Sequence, residues 1–196
     1  SNLYKKVPDE GPLKEGLEII IRETQRCKII IQELLEFSRD KTPKKAMTDI
    51  NQIIAKSLSI LDNEFRLRHI KIEKSLAADM EQALLDENQL EQVFVNLFLN
   101  AVHAVEDKGV ITIRSRMDHP TQQLFVEIED NGCGIAEADV SRIFEPFFST
   151  KKNGSGLGLA VSYGIISNHQ GKMEVKSSPG KGTVFTISIP FLKQSG

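Results

Sequence analysis

The sequence predicts an α+β protein in which helices cover one face of a mixed or antiparallel sheet, forming a two-layer sandwich. Helical and strand-like patterns are interleaved along most of the chain, and the clearest strand-like segments occur as pairs joined by a turn. A longer helical pattern precedes this region. We therefore expect a bundle-type helix in residues 1–43 and a sandwich domain in residues 44–196.

The first helix is predicted over residues 12–39, where apolar or small residues recur at alternating intervals of four and three. This spacing is typical of the seam between packed helices, and further apolar residues beside it predict several neighbours, as in a bundle. Since no upstream segment can supply a matching helix, we expect the partner to be a second copy or a segment outside this sequence. Pro43 ends the pattern, and residues 41–46 are predicted to form a linker. The seam consists of Leu13, Leu17, Ile20, Thr24, Cys27, Ile31 and Leu34.

The sandwich domain begins with a predicted helix that Asp49 caps, with Gln52 at the capping-box position. The apolar face of this helix consists of Ile50, Ile54, Leu58, Leu61 and Phe65. The later elements follow from apolar patterns of period two or 3.6. They are strands at 70–75 and 84–85, a helix at 88–107, a strand pair at 110–117 and 123–130, a helix at 157–169 and a strand pair at 172–177 and 183–190.

The composition is that of an ordinary soluble protein and argues against several functional classes. Hydrophobic residues make up 40% and charged residues 27% of the 196 residues, and the net charge of −2 gives no indication of nucleic-acid binding. No apolar run approaches the roughly 18 residues that a membrane span requires. Cys27 and Cys133 have no metal-binding spacing, which argues against a disulfide framework and favours a reducing, cytoplasmic location.

A polar stripe on the helix at 88–107 is the first candidate site. Asn96, Asn100 and His103 follow one another at spacings of four and three, with apolar residues on both sides. A buried amide without a partner costs about 1–3 kcal/mol, so two Asn side chains one turn apart require partners. Their carbonyl oxygens suit a hard cation such as Mg²⁺ that also holds phosphates. The alternative is that the Asn residues cap a neighbouring loop.

A carboxylate followed by a glycine turn is the second candidate. Asp130 ends the core-facing row of the strand at 123–130, and Asn131-Gly132-Cys133-Gly134 follows it. The glycines let the backbone approach a ligand closely. The carboxylate can accept a hydrogen bond from an exocyclic amine such as that of adenine. The alternative is an ordinary Asp-Asn-Gly turn.

Two further segments combine glycine with a turn. Lys151–Leu159 contains Gly154, Gly156 and Gly158 and leads into a predicted helix, where free N–H groups and the helix dipole favour phosphate. It lacks the Lys-Ser/Thr pair of a Walker A loop, and a flexible linker is its alternative. Gly182-Thr183 leads from a turn into the last strand, which alone indicates only a hairpin.

An apolar cluster, Ile143–Phe148, lies inside an otherwise polar loop. A small satellite core would explain this cluster. Such a core can also anchor a lid that closes over a ligand.

Taken together and in this order, these segments resemble the ATP-binding catalytic domain of bacterial sensor histidine kinases, within the wider superfamily of gyrase, Hsp90, histidine kinase and MutL ATPases. Each family box is modest alone, but five in order over about residues 46–192 make the resemblance specific. The forms of the N and F boxes are similar to the nitrogen-regulation and dicarboxylate-sensing subgroup. The boxes are Asn96–Ala101 (N), Asp130–Ile135 (G1), Ile143–Lys151 (F), Gly154–Leu159 (G2) and Gly182–Thr183 (the last glycine box).

The resemblance implies a sandwich of about five strands and three helices that binds ATP with Mg²⁺. Asn100 would hold Mg²⁺ with Asn96 nearby. Asp130 would bind the adenine amine, and Thr183 would join this network through water. His103 stands where the family often has Lys, Arg or Gln facing phosphate.

The resemblance also implies a lid over about residues 137–157. Gly156 and Gly158 would present N–H groups to the phosphates, and Lys151 would reach a phosphate. The other residues implied to bind nucleotide are Gly132 and Gly134, which would line the base, and Ile135, Gly154, Ser155 and Leu157.

The long helix resembles the second helix of the family's dimerisation and phosphotransfer hairpin. The family's phosphoacceptor histidine lies on the first helix, in a His-Glu/Asp signature. None of the four histidines of this sequence, His69, His103, His119 and His169, lies in such a signature. We therefore expect a fragment without its own acceptor, or a kinase acting in trans. The acidic residue that adjoins the acceptor is absent too, so no general base is assigned. The resemblance further implies a homodimer in the full-length protein, a downstream response regulator, no nucleic-acid partner, and a cytoplasmic location that is compatible with an inner-membrane anchor elsewhere in the full-length protein.

Two alternatives to a histidine kinase catalytic domain stay open. An ATP-hydrolysing switch of the gyrase or Hsp90 type generally has a Glu at the position of Asn96 to activate water, so the amide argues against hydrolysis. A non-catalytic nucleotide-binding module that dimerises or regulates would bind ATP without phosphorylating an added acceptor hairpin.

Overall fold

The computed structural model describes residues 14, 16–21, 23–24, 43–106, 108–151 and 154–191. Backbone contacts divide the chain into two units, Ser1–Asp40 and Lys41–Gly196. In the first unit the described residues are helical, and Ile19 and Ile20 are exposed. Most of the predicted helix at 12–39, and most of its seam, lies outside the described residues. No described helix has the length and apolar character of a membrane span.

The strands of the second unit are β1 (Ala46–Thr48), β2 (Lys71–Leu76), β3 (Ala83–Leu85), β4 (Val110–Asp118), β5 (Gln123–Asp130), β6 (Lys172–Ser177) and β7 (Thr183–Pro190). Five of them form one sheet with the strand order β2-β4-β5-β7-β6. β2 runs parallel to β4, whereas the other three neighbouring pairs are antiparallel, so the predicted mixed and mostly antiparallel sheet is confirmed. A separate antiparallel pair joins β1 to β3.

The helices of the second unit are α1 (Ile50–Ile60), α2 (Asp62–Leu67), α3 (Glu87–Ala104), α4 (Glu137–Val140) and α5 (Gly158–Asn168). Three of them form the second layer, as predicted. α1 packs against α3, and α3 packs against α5, so α3 is the central helix of the layer. The apolar faces of these helices and the inward-facing side chains of the sheet form one continuous core.

Two local predictions require correction. The predicted linker at 41–46 is wrong at its end, because Ala46 begins β1 and pairs with Leu85. The helix predicted to continue to Phe65 is interrupted at Leu61, where α1 ends and the short α2 follows. The predicted apolar face is nevertheless buried throughout, since Leu61 and Phe65 are 6% and 5% exposed.

The capping prediction for α1 is confirmed at Asp49. The Asp49 carboxylate accepts a hydrogen bond from the Asn51 N–H at 2.8 Å, which satisfies one of the free donors of the first turn. Gln52 contributes its backbone N–H to the Asp49 carbonyl oxygen at 3.1 Å.

The sheet brings a carboxylate to the edge of the core. Along β5 every second side chain is buried, and the alternation ends on Asp130. Asp130 pairs with Ile111 of β4 on one side and with Thr183 of β7 on the other. The strand therefore holds Asp130 in the middle of the sheet, at the end where the glycine turn begins.

Candidate functional site

The Asn stripe of α3 faces two other segments of the predicted site. Asn96 and Asn100 are both half-buried. The Asn96 side-chain amide donates to the Ser162 hydroxyl oxygen on α5 at 2.9 Å. The Asn100 side-chain oxygen accepts a hydrogen bond from the Lys151 ammonium group at 3.1 Å. Each amide thus has a partner, as its burial requires, and these partners belong to the predicted G2 helix and the end of the F box.

His103 completes the stripe one turn further along α3. Its side chain is exposed overall, yet partial desolvation and the nearby cations Lys151 and Arg68 hold the pKa of His103 below its usual range, while Glu64 opposes them. A histidine kept neutral in this way presents a polar but uncharged ring beside the Lys151 ammonium.

Asp130 is a buried carboxylate that keeps its position through backbone donors. Its Oδ1 accepts the Gly132 N–H at 2.9 Å, as the ordinary-turn alternative would require. Burial raises the pKa of Asp130, while hydrogen bonds from the backbone at Gly132 and Thr183 and the charge of Lys151 oppose that rise. A carboxylate that is only 5% exposed gains from any additional donor. An exocyclic amine of a ligand is such a donor.

The glycine turn after Asp130 lies between α3 and the β6–β7 turn. Gly134 has a φ of +70°, and a Cβ atom there would collide with the Ser178 carbonyl group. A Cβ atom on Gly132 would collide with the Ala104 carbonyl group at the end of α3. Neither position can hold a larger residue without movement of the backbone. The turn therefore fits tightly against its neighbours while remaining at the mouth of the site.

Ser177 organises the region around Thr183, and sequence reasoning missed it. The Ser177 hydroxyl accepts the Ile135 N–H at 2.8 Å, donates to the Gly182 carbonyl oxygen at 2.9 Å and lies 2.9 Å from the Thr183 hydroxyl. Ile135, Gly182 and Thr183, which belong to two separate predicted boxes, thus share one side-chain partner. A single Ser at the end of a strand gives no sequence signal for this role.

The apolar cluster Ile143–Phe148 and the glycine loop around Gly154–Gly158 contact each other directly. The Phe147 N–H donates to the Gly156 carbonyl oxygen at 3.0 Å, and Gly156 packs against the backbone of Phe147 and Phe148. The Ser155 hydroxyl accepts the Leu157 N–H at 3.3 Å, and Leu157 is fully buried. The expectation of a separate satellite core is wrong, because Ile143 belongs to the main core and Phe144 and Phe148 pack against it. The same segment contacts the predicted phosphate loop through Phe147 and Gly156.

The glycine loop reaches the Asn stripe at the start of α5. A Cβ atom on Gly158 would collide with the side-chain oxygen of Asn96. This close approach aims Asn96 Oδ1 at the first turn of α5, where backbone N–H groups lack helical partners. An amide oxygen and free N–H donors then lie side by side, an arrangement that suits a metal-bound phosphate.

Lys151 lies near the centre of the assembled site. The Lys151 side chain is exposed overall, yet partial desolvation lowers the pKa of its ammonium group, while the charges of Cys133 and Asp130 oppose this effect. The same ammonium influences Asp130 and His103 and donates to Asn100. The predicted site residues of α3, β5 and the F box are therefore close enough to act on one ligand.

The donor set fits a magnesium ion that is bound together with a nucleotide. Among the described residues, no group of three or more His, Cys, Asp or Glu side chains could hold a metal by itself. The Asn100 side-chain oxygen already accepts from a cation, and Asn96 Oδ1 points toward the start of α5. A hard ion held by one or two amide oxygens needs phosphate oxygens to complete its coordination.

A cavity of about 370 Å³ opens on the flank of the glycine turn. Gly132 is the predicted site residue that lines it. The candidate site is therefore defined by converging side chains and loops rather than by this cavity. The lining residues are Glu106, Lys108, Gly109, Asn131, Gly132, Cys133 and Gly180.

Comparison with known proteins identifies the family and the fold of this chain. The family model described as histidine kinase-, DNA gyrase B-, and HSP90-like ATPase matches residues 85–193, which contain all five boxes. The sensor histidine kinase ZraS of Salmonella typhi is 34% identical over 188 residues, which are 96% of this chain and 40% of that protein. The chain thus spans less than half the length of this relative.

Two solved structures have the same fold. The nucleotide-free catalytic domain of histidine kinase ThkA aligns with a TM-score of 0.69 at 28% identity, over 76% of this chain and 96% of that chain. Histidine kinase ThkA in complex with the response regulator protein TrrA aligns with a TM-score of 0.79 at 27% identity, over 98% of this chain and 55% of that chain. From its family match and its fold, the chain belongs to the histidine kinase-, DNA gyrase B- and HSP90-like ATPases, and its sandwich is an ATP-binding catalytic domain of the kind found in sensor histidine kinases.

Proposed function

We propose that this chain transfers the γ-phosphoryl group of Mg-ATP to a histidine on a phosphotransfer hairpin, as part of a two-component sensor kinase. The observation that carries the proposal is the convergence of Asn100, Asp130 and Lys151 around one site that borders the glycine loop. The likeness to sensor histidine kinases supports this activity over the other activities of the ATPase family.

Adenine is assigned to the end of the sheet. Asp130 accepts the exocyclic amine, and its burial makes this hydrogen bond selective, because a base without an amine would leave the buried carboxylate with its backbone donors alone. Gly132 and Gly134 are assigned to line the base with their backbone. Thr183, the β7 partner of Asp130, joins the adenine network through water, and its hydroxyl lies 2.9 Å from that of Ser177.

The phosphates are assigned to the start of α5. Gly156 and Gly158 present backbone N–H groups, and the positive end of the helix dipole favours negative charge there. Lys151 reaches the terminal phosphates from the F box, and His103 lies beside it. The remaining residues assigned to this part of the site are Ile135, Gly154, Ser155 and Leu157.

Mg²⁺ is assigned to Asn100 and Asn96. When bound, the ion would neutralise charge on the phosphates and so favour phosphoryl transfer. The side chains of this chain position the nucleotide, and the Ser162 hydroxyl fixes the orientation of Asn96. No side chain of this domain acts as a covalent intermediate. The acceptor imidazole nitrogen forms the new P–N bond as the bond between the γ-phosphorus and its bridging oxygen breaks, and ADP leaves.

The partners of the whole protein are part of the same proposal. A response regulator would receive the phosphoryl group from the acceptor histidine, and the structure of ThkA with TrrA supports a partner of that class. A homodimer formed through the helical hairpin and a cytoplasmic location of the catalytic domain complete the proposal. Nucleic acid is not proposed as a partner, since the net charge is −2.

A trans-phosphorylation assay tests the proposal. The chain is mixed with γ-labelled ATP, Mg²⁺ and a separately prepared helical hairpin that carries an acceptor histidine. We expect the hairpin to acquire acid-labile, base-stable label, and we expect Asp130→Asn to abolish the labelling. ATP binding without labelling would overturn the kinase activity, and steady release of inorganic phosphate without an acceptor would instead favour a hydrolytic switch.

A further inference from the structure

His169 joins two helices through its imidazole ring. It follows the last residue of α5 and is only 3% exposed. Its Nδ1 lies 2.8 Å from the Ile165 carbonyl oxygen, and its Nε2 lies 3.0 Å from the Asp86 backbone nitrogen. A carbonyl oxygen can only accept and a backbone N–H can only donate, so the proton must be on Nδ1 and Nε2 must accept. These contacts fix one neutral tautomer.

Asp86 extends this contact to the segment that precedes β1. The Asp86 carboxylate caps α3 by accepting the Gln89 N–H at 3.1 Å, and it also accepts the Lys44 N–H at 2.7 Å. The Lys45 ammonium donates to the carbonyl oxygen of Asn168, one residue before His169. The end of α5, the start of α3 and the leading segment Lys44–Lys45 are therefore joined at one place.

The other end of α5 lies in the candidate site. Gly158 begins the helix against Asn96, and Ser162 holds the Asn96 amide one turn later. α5 has 11 residues and is therefore about 16 Å long. A short, straight helix packed against α3 transmits a displacement of one end to the other, because packed helices shift as units.

We propose that His169 is a positioning residue. In its neutral form it holds α5 against the cap of α3 and the leading segment, so that protonation of the ring, or displacement of Lys44, moves Gly158 and weakens nucleotide binding at the far end of the helix. This inference rests on the proposed assignment of nucleotide phosphates to the start of α5. It adds a role for the leading segment, which connects the sandwich domain to the preceding unit of the chain.

The charges around the ring set the direction of the response. Asp86 on α3 favours the protonated ring, and Lys45 on the leading segment disfavours it. Burial is the largest influence and lowers the pKa of His169, while the hydrogen bond to Ile165 opposes it. Because the pKa of His169 is lower in the folded state than in the unfolded state, the neutral ring stabilises the fold fully above the unfolded-state pKa. This stabilisation is lost as the pH falls through the folded-state pKa. A protonated ring would point an N–H at the Asp86 N–H, which breaks the contact.

The test compares the affinity for a fluorescent ADP analogue between pH 5 and pH 8 in the full chain and in His169→Gln. A Gln side chain can accept the Asp86 N–H but does not titrate in this range. Titration of the nucleotide phosphates affects both proteins alike, so the ratio of the two affinities isolates His169. We expect a ratio near one at pH 8 and a wild-type affinity roughly tenfold below that of the variant at pH 5, the scale of one buried hydrogen bond.

His119→Gln is the matched control, because His119 is an exposed histidine on the β4–β5 turn. This variant should keep the wild-type pH dependence. A ratio between wild type and His169→Gln that does not change with pH overturns the inference, while loss of all nucleotide binding in wild type at pH 8 overturns the proposed function instead.

A second measurement does not depend on the variant folding. In ¹⁵N-labelled wild type, the His169 ring nitrogens and the Gly158 amide are followed by NMR during the same acid titration. We expect the neutral Nδ1–H tautomer at pH 8 and a common midpoint for His169 and Gly158. The opposite tautomer, or a Gly158 signal that ignores the His169 midpoint, contradicts the role.

Discussion

The Lys151 ammonium group lies 3.1 Å from the side-chain oxygen of Asn100, across 51 residues of sequence. This contact joins the end of the F box to the centre of α3. It places a lysine, whose pKa is lowered by partial desolvation, at the position from which a nucleotide phosphate and its metal would be reached. Lys151 and Asn100 therefore make a direct test of the assembled site.

Replacing Lys151 with Met is expected to weaken binding of ATP by roughly tenfold or more and binding of ADP much less, because a charge-assisted hydrogen bond to a terminal phosphate is lost. Lys176→Met, which removes the same charge from β6, serves as the control and should bind both nucleotides as wild type does. Isothermal titration calorimetry with a non-hydrolysable ATP analogue and with ADP measures the difference. Equal losses for both nucleotides would mean that Lys151 does not reach the γ-phosphate.

Asp130→Asn is expected to separate binding from stability. The variant should lose roughly tenfold or more in ADP affinity, because an amide is a weaker acceptor for the adenine amine than a carboxylate. Its free energy of unfolding should not fall and is expected to rise, because burial raises the pKa of Asp130 and the folded state therefore pays to keep the carboxylate ionised.

The sign of the pH dependence follows from the same shift. Since the folded-state pKa of Asp130 lies above the unfolded value, its contribution to stability improves as the pH falls through the folded-state pKa. The stability advantage of Asp130→Asn should thus be largest near neutral pH and shrink in acid. Glu127→Gln is the control, because Glu127 lies on the same strand, 4.0 Å from Arg114, and is not among the charges that shift the pKa of Asp130. An Asp130→Asn variant with wild-type ADP affinity would remove Asp130 from the adenine site.

Much of the fold follows from the sequence because its strands alternate cleanly. β5, β6 and β7 have the predicted bounds, since the buried side of each strand carries apolar residues at every second position. β1 could not be predicted, because its three residues have no pattern of their own and are held by pairing with β3. The break between α1 and α2 at Leu61 could not be predicted either, since the apolar face continues across it.

The sequence predicts the residues of the candidate site better than it predicts the contacts between them. The order of the glycine and asparagine segments along the chain predicts which residues take part. Their contacts depend on the way α3, α5 and the sheet come together in the folded domain. Ser162 and Ser177 illustrate this, because a hydroxyl becomes informative only when its tertiary partners, Asn96 and Thr183, are known.

Two glycines of α5 give a matched pair for the phosphate end of the site. Gly158→Ala places a methyl group against the Asn96 side-chain oxygen and is expected to lower Mg-nucleotide affinity by roughly tenfold, since overpacking costs about 1–3 kcal/mol. Gly164 is exposed, and outside its chain neighbours and the backbone of its own helix no atom of the described residues lies within 4 Å of the position that an added methyl group would take, so Gly164→Ala should leave affinity unchanged. It should also stabilise the fold by about 0.5–1 kcal/mol, because alanine favours helix. Thermal unfolding and nucleotide titration of both variants measure these effects, and equal affinities would contradict the contact between Gly158 and Asn96.

A chain that begins at Lys44 is expected to fold alone and to bind nucleotide with the affinity of the longer chain. Among the residues that the structure describes, the buried apolar core lies between Ile50 and Phe191, and the described residues before Lys44 are not part of it. Lys44 then carries the α-ammonium group of the shortened chain, which can still donate to the Asp86 carboxylate that caps α3. Deleting two residues more, to begin at Ala46, removes this donor and the Lys45 contact to Asn168. That shorter chain should therefore unfold at a lower temperature and bind nucleotide more weakly. Calorimetric unfolding and ADP titration of the two truncated chains provide the comparison, and indistinguishable behaviour would show that the Lys44–Lys45 segment contributes nothing to the domain.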